Sequence, residues 1–391
     1  MSALFNRVPV SLKWFNWGMF LLSEHNAFDY LVNLGICDRQ HRPIEILPLR
    51  GKNLNLHLKF ADSPDWLVKQ EVMDQQGCSE LFLGEWAVQD LINNTHRLAP
   101  LRTFIPPIVH YDPEAAILVS QFLEGHQNLE SYDQLWDCPF GRDIAAALGQ
   151  NLGTLHQLTY QPNGTEIRDH LECLYPDAVR SSPPSSFSAL RPFIPEMLGW
   201  VRQDALTFFR WYQSQPPLIQ ALETLSKTWS ACCLTHQDLQ FGNWLLNRET
   251  RSLQLIDWEH AGWGDPLTDL ATLLTHPLQL WLSQLPPPSF GSWQQRCDAA
   301  TLPFEKIQPS LMAIASSYFE AFPEALSEST LPQSTLPRVL QWTGRRLIDE
   351  VETRIQYHFA IGPVEANLLH FAQQLILHPD GLVPVLFNQA L

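Results

Sequence analysis

The sequence predicts an α+β fold: a small antiparallel sheet near the N-terminus, a larger and mainly helical part after it, and a helical extension in front. Three observations carry this expectation. Leu54, Leu56, Leu58 and Phe60 alternate with polar residues, the period of a strand with one buried face. Ile144, Leu148, Leu152 and Leu155 recur at helical spacing within residues 143–158. Two short apolar runs, 244–246 (WLL) and 253–256 (LQLI), flank the polar link 247–251, whose length suits a hairpin connection.

The elements follow in order. Residues 1–42 form the extension. Its first apolar stretch, 12–22 (LKWFNWGMFLL), reads as an aromatic helix docked on the body, with a membrane-surface or partner-binding helix as the alternative. Lys13, Asn16 and Gly18 interrupt it and no small-residue cleavage site follows, which speaks against a secretory signal; it is also too short to span a bilayer. Residues 27–37 place Phe28, Leu31, Val32 and Ile36 near helical spacing and stop at Gly35. Residues 43–125 hold the sheet. There, 50–53 (RGKN) breaks the run from Ile44 as a turn. In 65–71 (DWLVKQE) Leu67, Lys69 and Glu71 share one strand face and Trp66, Val68 and Gln70 the other. Leu81, Glu85, Val88 and Ile92 make one stripe of the next helix, with Glu80 on a poorer stripe. Residues 116–123 read as a buried strand ended by Glu124 and Gly125.

Residues 126–391 are mainly helical. After the 143–158 helix, 181–188 (SSPPSSFS) is a loop, and 190–227 is mostly helix with Trp200, Val201, Leu206, Phe208 and Phe209 as core candidates. Beyond Leu274 prolines at 286–288, 303, 309 and 323–337 punctuate short helices, with longer ones expected at 311–322 and 340–359. No internal repeat is visible.

Composition bounds the function. A chain of 391 residues, 45% apolar and with 14 Trp, can build two lobes and a substantial core. A net charge of −16 argues against a nucleic-acid surface, which needs a basic stripe; it suits a cationic substrate, and solubility alone explains it equally. Seven Cys without C-x-x-C spacing point to reduced thiols and a cytoplasmic location. Cys232 and Cys233 fall on the strand before His236, where packing is their expected role.

The densest chemistry lies in 234–259, LTHQDLQFGNWLLNRETRSLQLIDWE. Antiparallel pairing of the two apolar runs would bring Asn243, just before the first strand, beside Asp257, just after the second. Asp238 enters the same open end from the preceding loop. Two hard oxygen ligands and a third carboxylate thus converge, the donor type that Mg²⁺ takes together with phosphate oxygens and water.

The pattern H-x-D-x-x-x-x-N, a strand pair and an Asp, written here as THQDLQFGN, IDWE and GDPLTDLATLL, resembles the aminoglycoside phosphotransferase and choline kinase superfamily. The resemblance covers roughly Glu45 to Leu274. It implies a bilobal protein-kinase-like fold and γ-phosphoryl transfer from ATP to a hydroxyl with Mg²⁺. In that reading Asp238 accepts or orients the substrate hydroxyl, Asn243 and Asp257 hold the metal, His236 braces the loop, and Asp269 holds it by hydrogen bonds. Lys69, resembling the lysine of V-A-I-K, pairs with the α/β-phosphates and needs a helix carboxylate, for which Glu85 is the first choice and Glu80 the second. Gly51, Lys52 and Asn53 form the turn over the phosphates, although only one glycine is present. The strand ending at Glu124 becomes the linker that meets adenine, His156 a structural histidine, and the C-terminal helices the wall of the acceptor side. Gln240 stands where a basic residue is common.

Several acceptors and partners fit. One is a small alcohol or aminoglycoside-like molecule. Another is a peptide Ser/Thr: the extension, GKNLNL, LVKQE and the helical C-terminus are similar to the kinase component of class V lanthipeptide synthetases, which acts with a separate lyase partner. A third reading, a pseudokinase scaffold, is opposed by the intact Asp238, Asn243, Asp257 and Lys69, while the thin glycine loop and Gln240 favour it mildly.

Overall fold

The computed structural model describes residues 20–71, 81–131, 139–162, 165–179, 203–326, 335–358 and 361–388. Its first part is a five-stranded antiparallel sheet of β1 (Glu45–Leu49), β2 (Leu54–Lys59), β3 (Trp66–Gln70), β4 (Ile108–Asp112) and β5 (Ile117–Gln121), in the order β1-β2-β3-β5-β4. Register decides what each face carries. Asn55 lies opposite Lys69, which lies opposite Leu118, and His57 opposite Leu67, so these residues share one face. Leu56, Leu58, Val68, Ile117 and Val119 occupy the other and pack against Phe28 and Leu31 of α1 (Ala27–Asn33). Each large side chain buried there is worth about 1.5–3 kcal/mol of transfer free energy, which holds α1 against the sheet. Gly35, at φ 72°, closes the turn after α1, as its position predicts.

The predicted helix at 12–22 falls outside the described residues up to position 19. Its last three residues, Phe20, Leu21 and Leu22, are not helical. Their backbone groups are taken by a side chain instead: Leu22 N–H donates to Gln70 Oε1 (2.7 Å), and Gln70 Nε2 donates to Phe20 O (2.8 Å) and Ala115 O (2.9 Å). Glu80, the 181–188 loop, Trp200 and Val201 also lie outside the described residues.

The second part is helical. Its elements are α2 (Leu81–Asn94), which belongs with the sheet, then α3 (Pro139–Thr159), α4 (Glu166–Leu174), α5 (Gln203–Gln213), α6 (Pro216–Lys227), α7 (Pro266–Ser283), α8 (Trp293–Asp298), α9 (Phe304–Ala321), α10 (Thr335–His358), α11 (Pro363–Leu377) and α12 (Pro379–Phe387). The expected stripe of Ile144, Leu148, Leu152 and Leu155 is buried on α3. Helix α3 lies so close to α9 that a Cβ on Gly149 would fall 2.1 Å from Ile314 O, and one on Gly153 2.6 Å from Tyr318 O. The prolines punctuate less than predicted. Helix α9 starts at Phe304 rather than 311 and takes Pro309 inside, and α7 likewise holds Pro277 within its run to Ser283. An interior proline removes one helix hydrogen bond; burial of Leu273, Leu278, Ile307, Leu311 and Ile314 around them offsets that loss.

Two small sheets sit among these helices. Strand β7 (Cys233–Thr235) pairs with β10 (Gly262–Gly264). Strands β6 (His126–Asn128), β8 (Trp244–Asn247) and β9 (Leu253–Leu255) form the other, with Trp244 opposite Leu255 and Leu246 opposite Leu253. The hairpin is the predicted one; β6, a short polar strand directly after the linker, was not anticipated. An antiparallel sheet followed by a helical body with an embedded hairpin is the protein-kinase-like α+β arrangement. Among the described residues no helix is long and apolar enough to cross a membrane.

Candidate active site

The loop 236–243 is held from below by one carboxylate. Asp269, in the first turn of α7, is fully buried; its Oδ2 accepts the His236 N–H (2.7 Å) and its Oδ1 the Gln237 N–H (3.0 Å). His156 Nε2 lies 3.4 Å from Asp269 Oδ2, and its Nδ1 lies 2.9 Å from the Tyr318 hydroxyl. This His is a buried brace, as expected of a structural histidine. The tautomer of His236 follows from its partners. Its Nδ1 accepts the Asp238 N–H (3.3 Å), so the ring hydrogen sits on Nε2 and is donated to Ile256 O (3.0 Å). Burial pushes the His236 pKa down against the pull of Asp269 and Asp238, which keeps the ring neutral as that pattern requires.

The same loop meets the hairpin's open end. Asn243 Nδ2 donates to Asp238 O (2.9 Å) and Asp238 Oδ2 (3.1 Å), which leaves Asn243 Oδ1 as the acceptor end of that side chain. Asn243 O accepts the Ile256 N–H (3.0 Å), so Asp257 emerges beside it. Asp257 has φ 67° and ψ 59°, and Gln237 has φ 64°. Left-handed backbone at a non-glycine residue is uncommon, and here it brackets the cluster on both sides. Asp257 begins a short 3₁₀ turn without using its side chain as a cap, so the carboxylate is left for other partners.

One of those partners comes from the sheet. Lys69 Nζ lies 3.5 Å from Glu85 Oε1 and 3.6 Å from Asp257 Oδ1, joining β3, α2 and the hairpin. Helix α2 reaches this point because Gly84 gives it room: a Cβ there would meet the Tyr175 ring at 2.9 Å and Glu259 O at 3.3 Å. Burial would lower the Lys69 ammonium, but Glu85, Asp257 and Glu259 outweigh it and the net shift is upward. Glu85 is also pushed up, by burial first, with Lys69 opposing and Asp257 and Glu259 adding. Three carboxylates thus share one buried ammonium: their charges raise Lys69 against burial, and for Glu85 the other two add to what burial already does. Glu85 Oε2 is buried and has no hydrogen-bond partner.

Three site residues were not singled out by sequence reasoning. Glu259 lies inside IDWE, and its Oε1 meets Lys52 Nζ (3.8 Å) and His260 Nε2 (3.3 Å); burial and Asp257 push its pKa up. Lys52 therefore reaches down from the turn to the hairpin, while Gly51 and Asn53 stay in the turn itself, Gly51 exposed. A Cβ on Gly51 would sit 2.5 Å from Asn55 Nδ2, the movable end of a side chain. His57 pairs with Asp65 (2.6 Å) and stacks on Phe122 at 3.6 Å, on the Lys69 face of the sheet and at the start of the linker. His276 of α7 is the third; its Nε2 lies 3.2 Å from Leu239 O. No sequence pattern marks it. Gln240, in place of a basic residue, donates from Nε2 to Asp238 Oδ2 (3.1 Å).

Among the described residues no group of three His, Cys, Asp or Glu side chains is arranged to hold a metal alone.

A family model described as the phosphotransferase enzyme family matches residues 88–299. No curated protein sequence matches the chain. Similar solved structures include an ethanolamine kinase of Plasmodium vivax, 14% identical over 88% of this chain and 84% of that one, with a TM-score of 0.49. A choline kinase of Streptococcus pneumoniae is 14% identical over 89% of this chain and 96% of that one, with a TM-score of 0.44. A macrolide 2′-phosphotransferase of Brachybacterium faecium is 13% identical over 90% of this chain and 99% of that one, with a TM-score of 0.40.

Proposed function

The chain belongs to the phosphotransferase enzyme family, and from that premise we propose that it moves the γ-phosphoryl group of Mg-ATP to a hydroxyl acceptor. One observation carries the reading: Asn243 binds Asp238 through its side chain and Ile256 through its backbone, so the loop carboxylate is tied to the strand end from which Asp257 reaches Lys69.

Each group has a role in that reaction. Asp238 takes the acceptor's O–H proton or orients it, the acceptor oxygen bonds to the γ-phosphorus, and the bond from that phosphorus to the β-phosphate bridge breaks to release ADP. Lys69, held by Glu85, exchanges its contact with Asp257 for the α/β-phosphates. Asn243 Oδ1 and Asp257 would hold the divalent ion, which when bound neutralises charge between the phosphates. The turn at Gly51, Lys52 and Asn53 covers the phosphates, and Lys52 exchanges Glu259 for them. His236 and Asp269 hold Asp238 in place. The segment from Phe122 to Gly125 lies where the base edge would meet backbone. The excess of carboxylates around Lys69 supports this reading, because it concentrates negative charge that a bound cation would balance.

Asp257→Ala is expected to abolish Mg-ATP turnover. Asp238→Asn is expected to lose on the order of 10²–10⁴ in kcat. A wild-type rate in either overturns the assignment. The acceptor is a small alcohol or a peptide Ser/Thr. Mass analysis after incubation with Mg-ATP separates them: an added phosphate on a co-expressed peptide selects the peptide kinase, and one on a small alcohol selects the other. Mg-ATP binding with no ATP consumed, whatever acceptor is supplied, would select a scaffold.

A further inference from the structure

Helix α7 grips the loop at two points. Near its start, Asp269 takes the N–H groups of His236 and Gln237. Seven residues on, the His276 Nε2–H donates to Leu239 O at 3.2 Å. Its ring lies over that of Phe241, with centroids 4.1 Å apart and planes 22° from parallel. Seven residues of helix advance about 10.5 Å and return to nearly the same face, so both grips come from one side of a rigid element. The first fixes the two residues before Asp238 and the second fixes the residue after it. Asp238 is suspended between them.

The ring is fit for this. Burial pushes the His276 pKa down to about 4, with the Leu239 carbonyl and Glu350 opposing and Arg346 adding. At neutral pH the imidazole is uncharged and carries a single N–H, which Leu239 O receives. Helix α7 is among the most deeply buried of the described helices: Leu267, Leu270, Ala271, Leu273, Leu274 and Leu278 are at most 1% exposed.

We propose that His276 is a positioning residue for phosphoryl transfer, fixing the Leu239 carbonyl and thereby the direction in which the Asp238 carboxylate faces the acceptor hydroxyl. This rests on the role given to Asp238 in the preceding subsection. Asp238 is only half-buried, and among the described residues its carboxylate is bonded by Asn243 and Gln240, both of the same loop, so the path of that loop's backbone aims it. Small misplacements of a reacting group are costly, on the order of 10²-fold for 1 Å.

Two variants separate the hydrogen bond from the stack. His276→Phe keeps a ring over Phe241 and removes the donor; His276→Gln keeps an N–H donor and removes the ring. His276→Phe is expected to lose about ten-fold in kcat, with both KM values within about two-fold of wild type. His276→Gln is expected to recover most of that kcat. Melting temperatures are read alongside. A wild-type kcat for His276→Phe overturns the proposal, as does a loss in both variants that simply follows their melting temperatures. If His276→Phe fails to fold, His276→Ala gives the same reading, with kcat restored by added imidazole as the expected result and no restoration as the contrary one. Asp238→Asn is assayed in parallel. If it stays fully active, the role of Asp238 fails; if it is inactive while His276→Phe is normal, only the present inference fails.

Discussion

Replacing Lys69 with Met tests the charge balance of the site, and the structure sets the size of the effect. The variant keeps the apolar stem and deletes the ammonium that lies 3.5 Å from Glu85 Oε1. Glu85 is then a buried carboxylate with no cation, and its escape is to take up a proton. The cost of that escape is the distance between the ambient pH and the ordinary value of 4.5. At pH 7.5 that is three pH units, about 4 kcal/mol at 1.36 kcal/mol each; at pH 5.5 it is about 1.4 kcal/mol. A group whose folded-state pKa is raised loses its stabilising contribution as pH rises, so Lys69→Met should fall further below wild type at pH 7.5 than at pH 5.5, by at most about 2–3 kcal/mol, since wild-type Glu85 is itself raised and takes part of that loss. Adding Glu85→Gln removes the stranded charge and should restore at least half of the deficit at pH 7.5, without restoring turnover. Urea unfolding at the two pH values measures all three proteins. A deficit that does not change with pH, or a double variant no more stable than Lys69→Met, would refute the account of this pair.

Three further outcomes follow. Asp269→Asn turns an amide N–H₂ toward one of two backbone N–H donors at 2.7 and 3.0 Å; it should cost about 2–4 kcal/mol and lower kcat, and an unchanged melting temperature would contradict the grip. Gly149→Ala puts a Cβ 2.1 Å from Ile314 O, and the forced shift of about 1–3 kcal/mol should outweigh the helix preference for Ala. Gly381→Ala, on α12 with nothing within 4 Å of its Cβ position, should instead gain about 0.5–1 kcal/mol. Thermal melts of the two glycine variants must move in opposite directions.

What was legible in the sequence was local. The hairpin could be read because its two apolar runs and its link lie within residues 244–256, and strand pairing then places Asn243 near Asp257 without further information. Glu85 could be chosen over other carboxylates because helical periodicity puts it on the buried stripe, and the Lys69 contact is where that stripe points. Asp269 was reached through resemblance, since nothing in DPLTDLA by itself says which backbone it will hold. Glu259 and His276 were missed for a common reason. Each acts on a partner that is remote in sequence, Lys52 in one case and the returning loop carbonyl of Leu239 in the other. A lone His in mid-helix carries no periodic signal. The helix through Pro309 was cut short because propensity counts a proline as a stop, whereas the surrounding burial decides.

The left-handed turn at Asp257 narrows what can ever replace it. Gly, Asn and Asp visit that conformation readily, and most other residues do so at about 1–3 kcal/mol. Of the three, glycine brings no oxygen and asparagine no charge. A descendant chain that abandons the chemistry proposed for Asp257 thus has two easy exits at this position, and both leave the hairpin's buried Trp244 and Leu255 undisturbed. The identity of one residue would then sort working copies of this gene from retired ones whose shape is intact.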